Sequence, residues 1–164
     1  MGDSSVTGAV APAQAGVQEL GHLVLYVRDV ARSAAFYGDV LGWRRITPED
    51  SPAPVAAFSS GRTHHELLLI QVGPDATPIP QGRRVGLYHF GLKVGDTDDD
   101  LRAMLARVQA AGERVVGASD HTVTHSLYIL DPDGNEIELY VDVADADWRS
   151  DPMLLLTPTK PLRL

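Results

Sequence analysis

The chain has 164 residues, no cysteine, and 22 acidic against 14 basic side chains, for a formal net charge of −8. That length suits one domain with a full core, and the lack of cysteine excludes disulfides and thiolate metal sites. The acidic balance argues against nucleic acid, whose phosphates require a basic face.

The opening stretch, "MGDSSVTGAVAPAQAGVQ", lacks a basic start followed by an apolar block, so it is not read as a secretory signal. Residues 1–18 are expected to be a disordered leader. No apolar run reaches the roughly 18–20 residues of a membrane helix, so no membrane partner is expected and the cytoplasm is the default location.

Ordered structure is expected from "ELGHLVLYVRDV", where Leu23, Leu25 and Val27 share one strand face and His22, Val24 and Tyr26 the other. The next segment predicts a helix over 30–41, with Asp29 as N-cap and Gly42 at its end. Two or three short strands should follow, through "RRITPED", "VAAFSS" and "HHELLLIQVG", and then a Pro/Gly-rich linker over 74–85. The order then recurs. "YHFGLKVGD" reads as a strand, "TDDDLRAMLARVQAAGE" as an amphipathic helix ending at Gly112, and three strands follow, the last two joined by a tight "DPDG" turn. The apolar, proline-broken tail over 144–164 is expected to pack on the body or on a second subunit rather than form an element of its own.

The second half repeats the first. An offset of 67 carries His22 to His89, Val27 to Val94 and Asp29 to Asp96, and "HELLLIQV" parallels "IELYVDV" with Glu66 over Glu138. Each half reads strand–helix–three strands, module 1 over about 19–73 and module 2 over about 86–143, within one domain spanning 19–143. A unit too small to bury its own face, once duplicated, should close two halves over a shared cleft.

Glu138 lies between Ile137 and Leu139, where burying a lone carboxylate would cost several kcal/mol unless it is paired, protonated or bound to a metal. The repeat sets His22 and His89 at equivalent strand positions. Two histidines and one carboxylate form a facial triad suited to divalent iron, with three sites left open.

These residues resemble the vicinal oxygen chelate superfamily, also called the glyoxalase/bleomycin-resistance/extradiol-dioxygenase fold. The resemblance spans about Leu20 to Val143 and is greatest to type I extradiol catechol dioxygenases. It rests on His121, five residues, Leu127–Tyr128, two residues, Asp131–Pro132–Asp133–Gly134, three residues, then Glu138; only Ser119, at the leading position, departs from the pattern. The fold implied is α+β, two tandem βαβββ modules forming a pseudo-symmetric open barrel around a metal cleft. The resemblance further implies Fe(II), with Mn(II) as a substitute, on His22, His89 and Glu138. His65 would be the acid/base, and His121 and Tyr128 would hydrogen-bond the substrate oxygens. The substrates would be a small catechol and O₂, and the protein a homodimer with the tail as one candidate contact.

His65 and Glu66 are neighbours, and strand alternation would let only one face the cleft. Were it Glu66, a fourth ligand would make a glyoxalase-like lyase or isomerase using Ni(II) or Zn(II). A third reading is a small-molecule binding protein without catalysis, of the antibiotic-resistance type. His64 and His125 are expected to be exposed or outside direct contact with the metal.

Overall fold

The computed structural model describes residues 15–164. Most of the expected leader thus lies outside the described residues, and 15–18 carry no regular secondary structure.

In module 1, strand β1 (Leu23–Val27) buries Leu25 and Val27 and exposes Val24 and Tyr26, the period of two the sequence predicts. Helix α1 (Val30–Ala35) begins where the Asp29 carboxylate accepts the Arg32 N–H at 3.0 Å. It widens into a π-helical turn over Phe36–Val40, and the chain leaves at Gly42 with φ +75°. This left-handed conformation suits a residue without a side chain. Strands β2 (Val55–Phe58) and β3 (Leu67–Gln71) complete a three-stranded sheet of order β1-β3-β2, with β1 parallel and β2 antiparallel to β3. The stretch "RRITPED" makes only an isolated bridge, Arg45 to Phe58. Pro48 has no N–H to offer a ladder, and this limits the strand.

Module 2 is fuller. Strand β4 (His89–Lys93) leads to helix α2 (Asp98–Ala110), whose start is a reciprocal capping box of Thr97 and Asp100. The helix buries Leu101, Met104 and Val108, one face at helical spacing. Strands β5 (Val115–Asp120), β6 (Thr124–Leu130) and β7 (Glu136–Asp142) follow. The tail forms two short elements, a 3-10 turn over Pro152–Leu156 and strand β8 (Lys160–Pro161), which pairs antiparallel with β5. The second sheet runs β4-β7-β6-β5-β8, and among the described residues no strand pairs across the two sheets, so the architecture is α+β and open.

The register corrects one equivalence. Leu23 pairs with Leu67 in module 1, and Phe90, its counterpart at offset 67, pairs with Ile137. Glu66 therefore corresponds to Glu136, and the counterpart of Glu138 is Leu68. The sequence blocks align two residues out of step because both contain an acidic residue before an apolar run, and only backbone pairing separates the alternatives.

Two contacts join module 1 to the turn between β6 and β7. The Tyr37 hydroxyl, fully buried, donates to Asp131 Oδ2 at 2.9 Å, and Arg28 holds Asp133 through its backbone N–H at 3.1 Å and its guanidinium at 3.0 Å. Asp131 also accepts the N–H groups of Asp133 and Asn135 at 2.9 and 2.8 Å, and Gly134 turns the chain at φ +91°. A single apolar cluster, from Leu25 and Tyr37 to Leu101 and Leu139, runs through both modules.

Candidate active site

Strand β7 buries Ile137, Leu139 and Val141, so Glu136, Glu138 and Tyr140 stand on the opposite face, away from the core. Parallel pairing with β4 sets His89 and Gly91 beside them, and antiparallel pairing with β6 puts Tyr128 directly opposite Glu138. His89 Nε2 lies 3.3 Å from Glu138 Oε2, and its Nδ1 lies 3.6 Å from Glu136 Oε1. His89 Nδ1 is buried and has no hydrogen-bond partner. A Cβ at Gly91 would sit 3.2 Å from the Tyr140 ring and 3.7 Å from Glu138 Oε2, so glycine keeps this part of the face open.

On the other side of Glu138, Tyr128 donates to Oε1 at 3.1 Å, and His121 Nε2 lies 2.6 Å from the Tyr128 hydroxyl. Burial, followed by the charge of Glu138, holds the Tyr128 phenol well above its ordinary pKa, so it stays protonated and donates. Glu138 is not sealed away: 18% of its side chain remains exposed, and its neighbours are polar. The burial cost expected from sequence is correspondingly reduced.

His22 is set apart from this group. Its ring lies 4.5 Å from that of His65, whose own ring is 4.4 Å from His64. One nitrogen from each of the three lies within 4.8 Å of the others, and among the described residues no other three His, Asp or Glu side chains gather so closely. The expected set of His22, His89 and Glu138 is thus brought together only in part. His22, Glu66 and His89 nevertheless line one cleft of about 890 Å³, along with Trp43, Arg62 and Tyr140. A smaller cavity of about 340 Å³ lies against Glu138 and shares Tyr140 with the first.

The choice between His65 and Glu66 takes a different form from the one strand alternation poses, because both residues precede β3. His65 packs on His22, while the Glu66 carboxylate accepts the Ser60 hydroxyl at 2.6 Å and meets the Arg62 guanidinium at 2.9 Å. These contacts outweigh desolvation and hold Glu66 below the ordinary carboxylate pKa. Burial, then the His64 and His22 rings, holds His65 below the ordinary imidazole value. His125 points to the helix side, where its Nδ1 lies 2.7 Å from Asp98 at the start of α2.

The tail was expected to pack on the body or on a second subunit without an element of its own; it instead forms a short turn and strand β8, and its approach to the site was not foreseen. Trp148 and Leu155 line the smaller cavity, and Thr159 Oγ1 lies 3.3 Å from His121 Nδ1. No local pattern marks these residues, since the β5–β8 pairing that brings them in is long-range. The doublet His64–His65 was the available signal for the imidazole cluster.

Comparison with known proteins identifies relatives of the chain. Over 132 residues the chain is 35% identical to a catechol-2,3-dioxygenase of Bacillus subtilis (strain 168), an overlap covering 80% of this chain and 44% of that one. It is 30% identical over 152 residues to an iron-dependent extradiol dioxygenase of Rhodococcus jostii (strain RHA1), covering 81% and 47%. The chain therefore spans less than half the length of these two relatives. Among solved structures, a glyoxalase/dioxygenase from Nostoc punctiforme superposes with a TM-score of 0.65 at 23% identity, covering 85% of this chain and 99% of that one. A lactoylglutathione lyase from Agrobacterium tumefaciens gives 0.56 at 28% identity, covering 76% and 94%. Residues 19–139 match the family model as well, so the chain belongs to the glyoxalase/bleomycin resistance protein/dioxygenase superfamily.

Proposed function

We propose that the protein is an Fe(II)-dependent extradiol dioxygenase that opens the ring of a small catechol with O₂, both oxygen atoms entering the product. The observation that carries this reading is the polar set on one sheet face, His89 and Tyr128 converging on Glu138 with His121 behind Tyr128. The dioxygenase relatives support it.

The residues fit a divalent metal. His89 and Glu138 present a nitrogen and an oxygen 3.3 Å apart, and Glu136 stands beside the other ring nitrogen of His89, the usual arrangement around a metal-bound imidazole. His22, on the same cleft, is the third ligand in this proposal. Fe(II), or Mn(II) in its place, supplies the means of electron transfer between an electron-rich diol and O₂. His65, held neutral by its surroundings, accepts a catechol hydroxyl proton and later returns it to the departing oxygen. In this proposal the Tyr128 hydroxyl, with His121 donating to it from behind, turns from Glu138 to the substrate oxygens that gain charge, a contribution of roughly 3–4 kcal/mol where such a donor is well placed.

One observation favours a second reading. Glu66 lines the same cleft as His22 and His89, as a fourth ligand of a glyoxalase-like lyase or isomerase using Ni(II) or Zn(II) would. Anaerobic loading with Fe(II), followed by catechol and then air, separates the two. Oxygen uptake with a yellow ring-opened product is the expected result. No uptake across a broad catechol panel, with turnover of a thiohemiacetal under Ni(II), would overturn the dioxygenase reading.

A further inference from the structure

The family match ends at residue 139, yet the tail beyond it reaches the site at two places. Trp148 and Leu155 supply an apolar side to the smaller cavity, whose other lining is Val123, Thr124, Glu138, Tyr140 and Asp142, the last paired with Lys93. Strand β8 pairs Ser119 with Pro161 and Asp120 with Lys160, which brings Thr159 beside His121.

We propose that the tail segment 148–159 is the specificity wall of the site: Trp148 and Leu155 receive an apolar substituent on the substrate ring, and Thr159 is a positioning residue for His121. For the identity of the ligand this rests on the dioxygenase reading; for the role of Thr159 it does not.

The wall follows from shape and exposure. At about 340 Å³ the cavity is at the small end of ligand sites, sufficient for one ring with a short side group. Trp148 and Leu155 remain 43% and 57% exposed, so their apolar surface is available to a ligand. The Arg149 guanidinium lies 4.5 Å from the centre of the Trp148 ring and steadies that side chain. Glu138 lines the same cavity as Trp148 and Leu155, so a substrate holding its oxygens near Glu138 has this surface within reach of its ring.

The positioning role follows from donor counting. Tyr128 has one proton and gives it to the Glu138 carboxylate, so it accepts from His121 Nε2–H. In the neutral imidazole, Nδ1 is then the acceptor and Thr159 the donor. Thr159 thus selects the tautomer that keeps the chain of hydrogen bonds directed at Glu138.

Two measurements test this. With anaerobic Fe(II)-loaded protein, calorimetric titration should show 4-ethylcatechol binding about three- to fifteenfold tighter than catechol, since each buried methylene is worth up to about fourfold. In Trp148→Ala and Leu155→Ala the ratio should fall toward one, and Trp148→Phe should keep most of it. Unchanged urea midpoints would show that the variants fold. A ratio retained in both alanine variants overturns the wall alone, whereas wild-type protein that binds neither catechol overturns the dioxygenase reading and the wall with it. Independently, long-range ¹H–¹⁵N spectra of metal-free protein, assigned through His121→Gln, should show the Nε2–H tautomer of His121. Thr159→Val should mix the tautomers and Thr159→Ser restore the single one; an unchanged tautomer in Thr159→Val overturns the positioning role.

Discussion

Tyr37→Phe tests how module 1 holds the turn that sets Tyr128 opposite Glu138. Tyr37 is fully buried and Asp131 is 4% exposed, so water cannot replace the lost hydroxyl. A hydrogen bond to a charged group contributes about 1.5–3 kcal/mol net. Asp131 keeps its bonds to the N–H groups of Asp133 and Asn135 and to the Asn135 side chain, at 2.8–2.9 Å, so the lower half of that range applies. Phenylalanine preserves the ring packing against Phe36 and Phe58. The expected loss is about 1.5–2 kcal/mol, and with a urea slope near 2 kcal/mol/M the midpoint falls by roughly 0.7–1 M. Equilibrium urea unfolding followed by circular dichroism measures it. A midpoint lowered by less than about 0.2 M at unchanged slope would show that Asp131 is satisfied without Tyr37 and would refute this account of the coupling between modules.

Other perturbations follow from the same geometry. Tyr128→Phe removes the hydroxyl proposed to donate to the substrate oxygens while leaving His89 and Glu138 in place, so metal content measured by mass spectrometry should hold while turnover falls about 10²- to 10³-fold. Gly91→Val places side-chain atoms against Tyr140 and toward Glu138 and should lower iron content at saturating Fe(II); full occupancy would show that the face can rearrange. For α2, the Thr97 hydroxyl and the N–H groups of Asp96 and Thr97 hold the Asp100 carboxyl below its ordinary pKa. A depressed carboxylate pKa stabilises the fold above the unfolded value, near 4, and that stabilisation disappears as pH falls through the folded value. Thr97→Ala should therefore be less stable than wild type at pH 7, with a difference that narrows below about pH 4, as thermal melts would show.

The order of elements was legible locally. Apolar alternation marked β1 and β7, Asp29 and Thr97 marked the helix starts, and Gly42 and Gly112 marked the exits, because capping and φ preferences act within a few residues. The offset between His22 and His89 and the hairpin turning at "DPDG" were readable too, since turn chemistry is local; that Tyr128 falls opposite Glu138 came from the strand register.

What required the tertiary structure is whatever depends on pairing between distant strands. Parallel pairing at Leu23–Leu67 and Phe90–Ile137 makes Glu136, not Glu138, the counterpart of Glu66, a two-residue difference that keeps the same face and so leaves hydrophobic pattern unchanged. The gathering of His22 with His64 and His65, and the arrival of Thr159 at His121, depend on loops and on the β5–β8 contact. Sequence by itself determined which residue types and periodicities were available. Which of them meet was decided by backbone hydrogen bonding between segments far apart in the chain, and local preference carries no record of that.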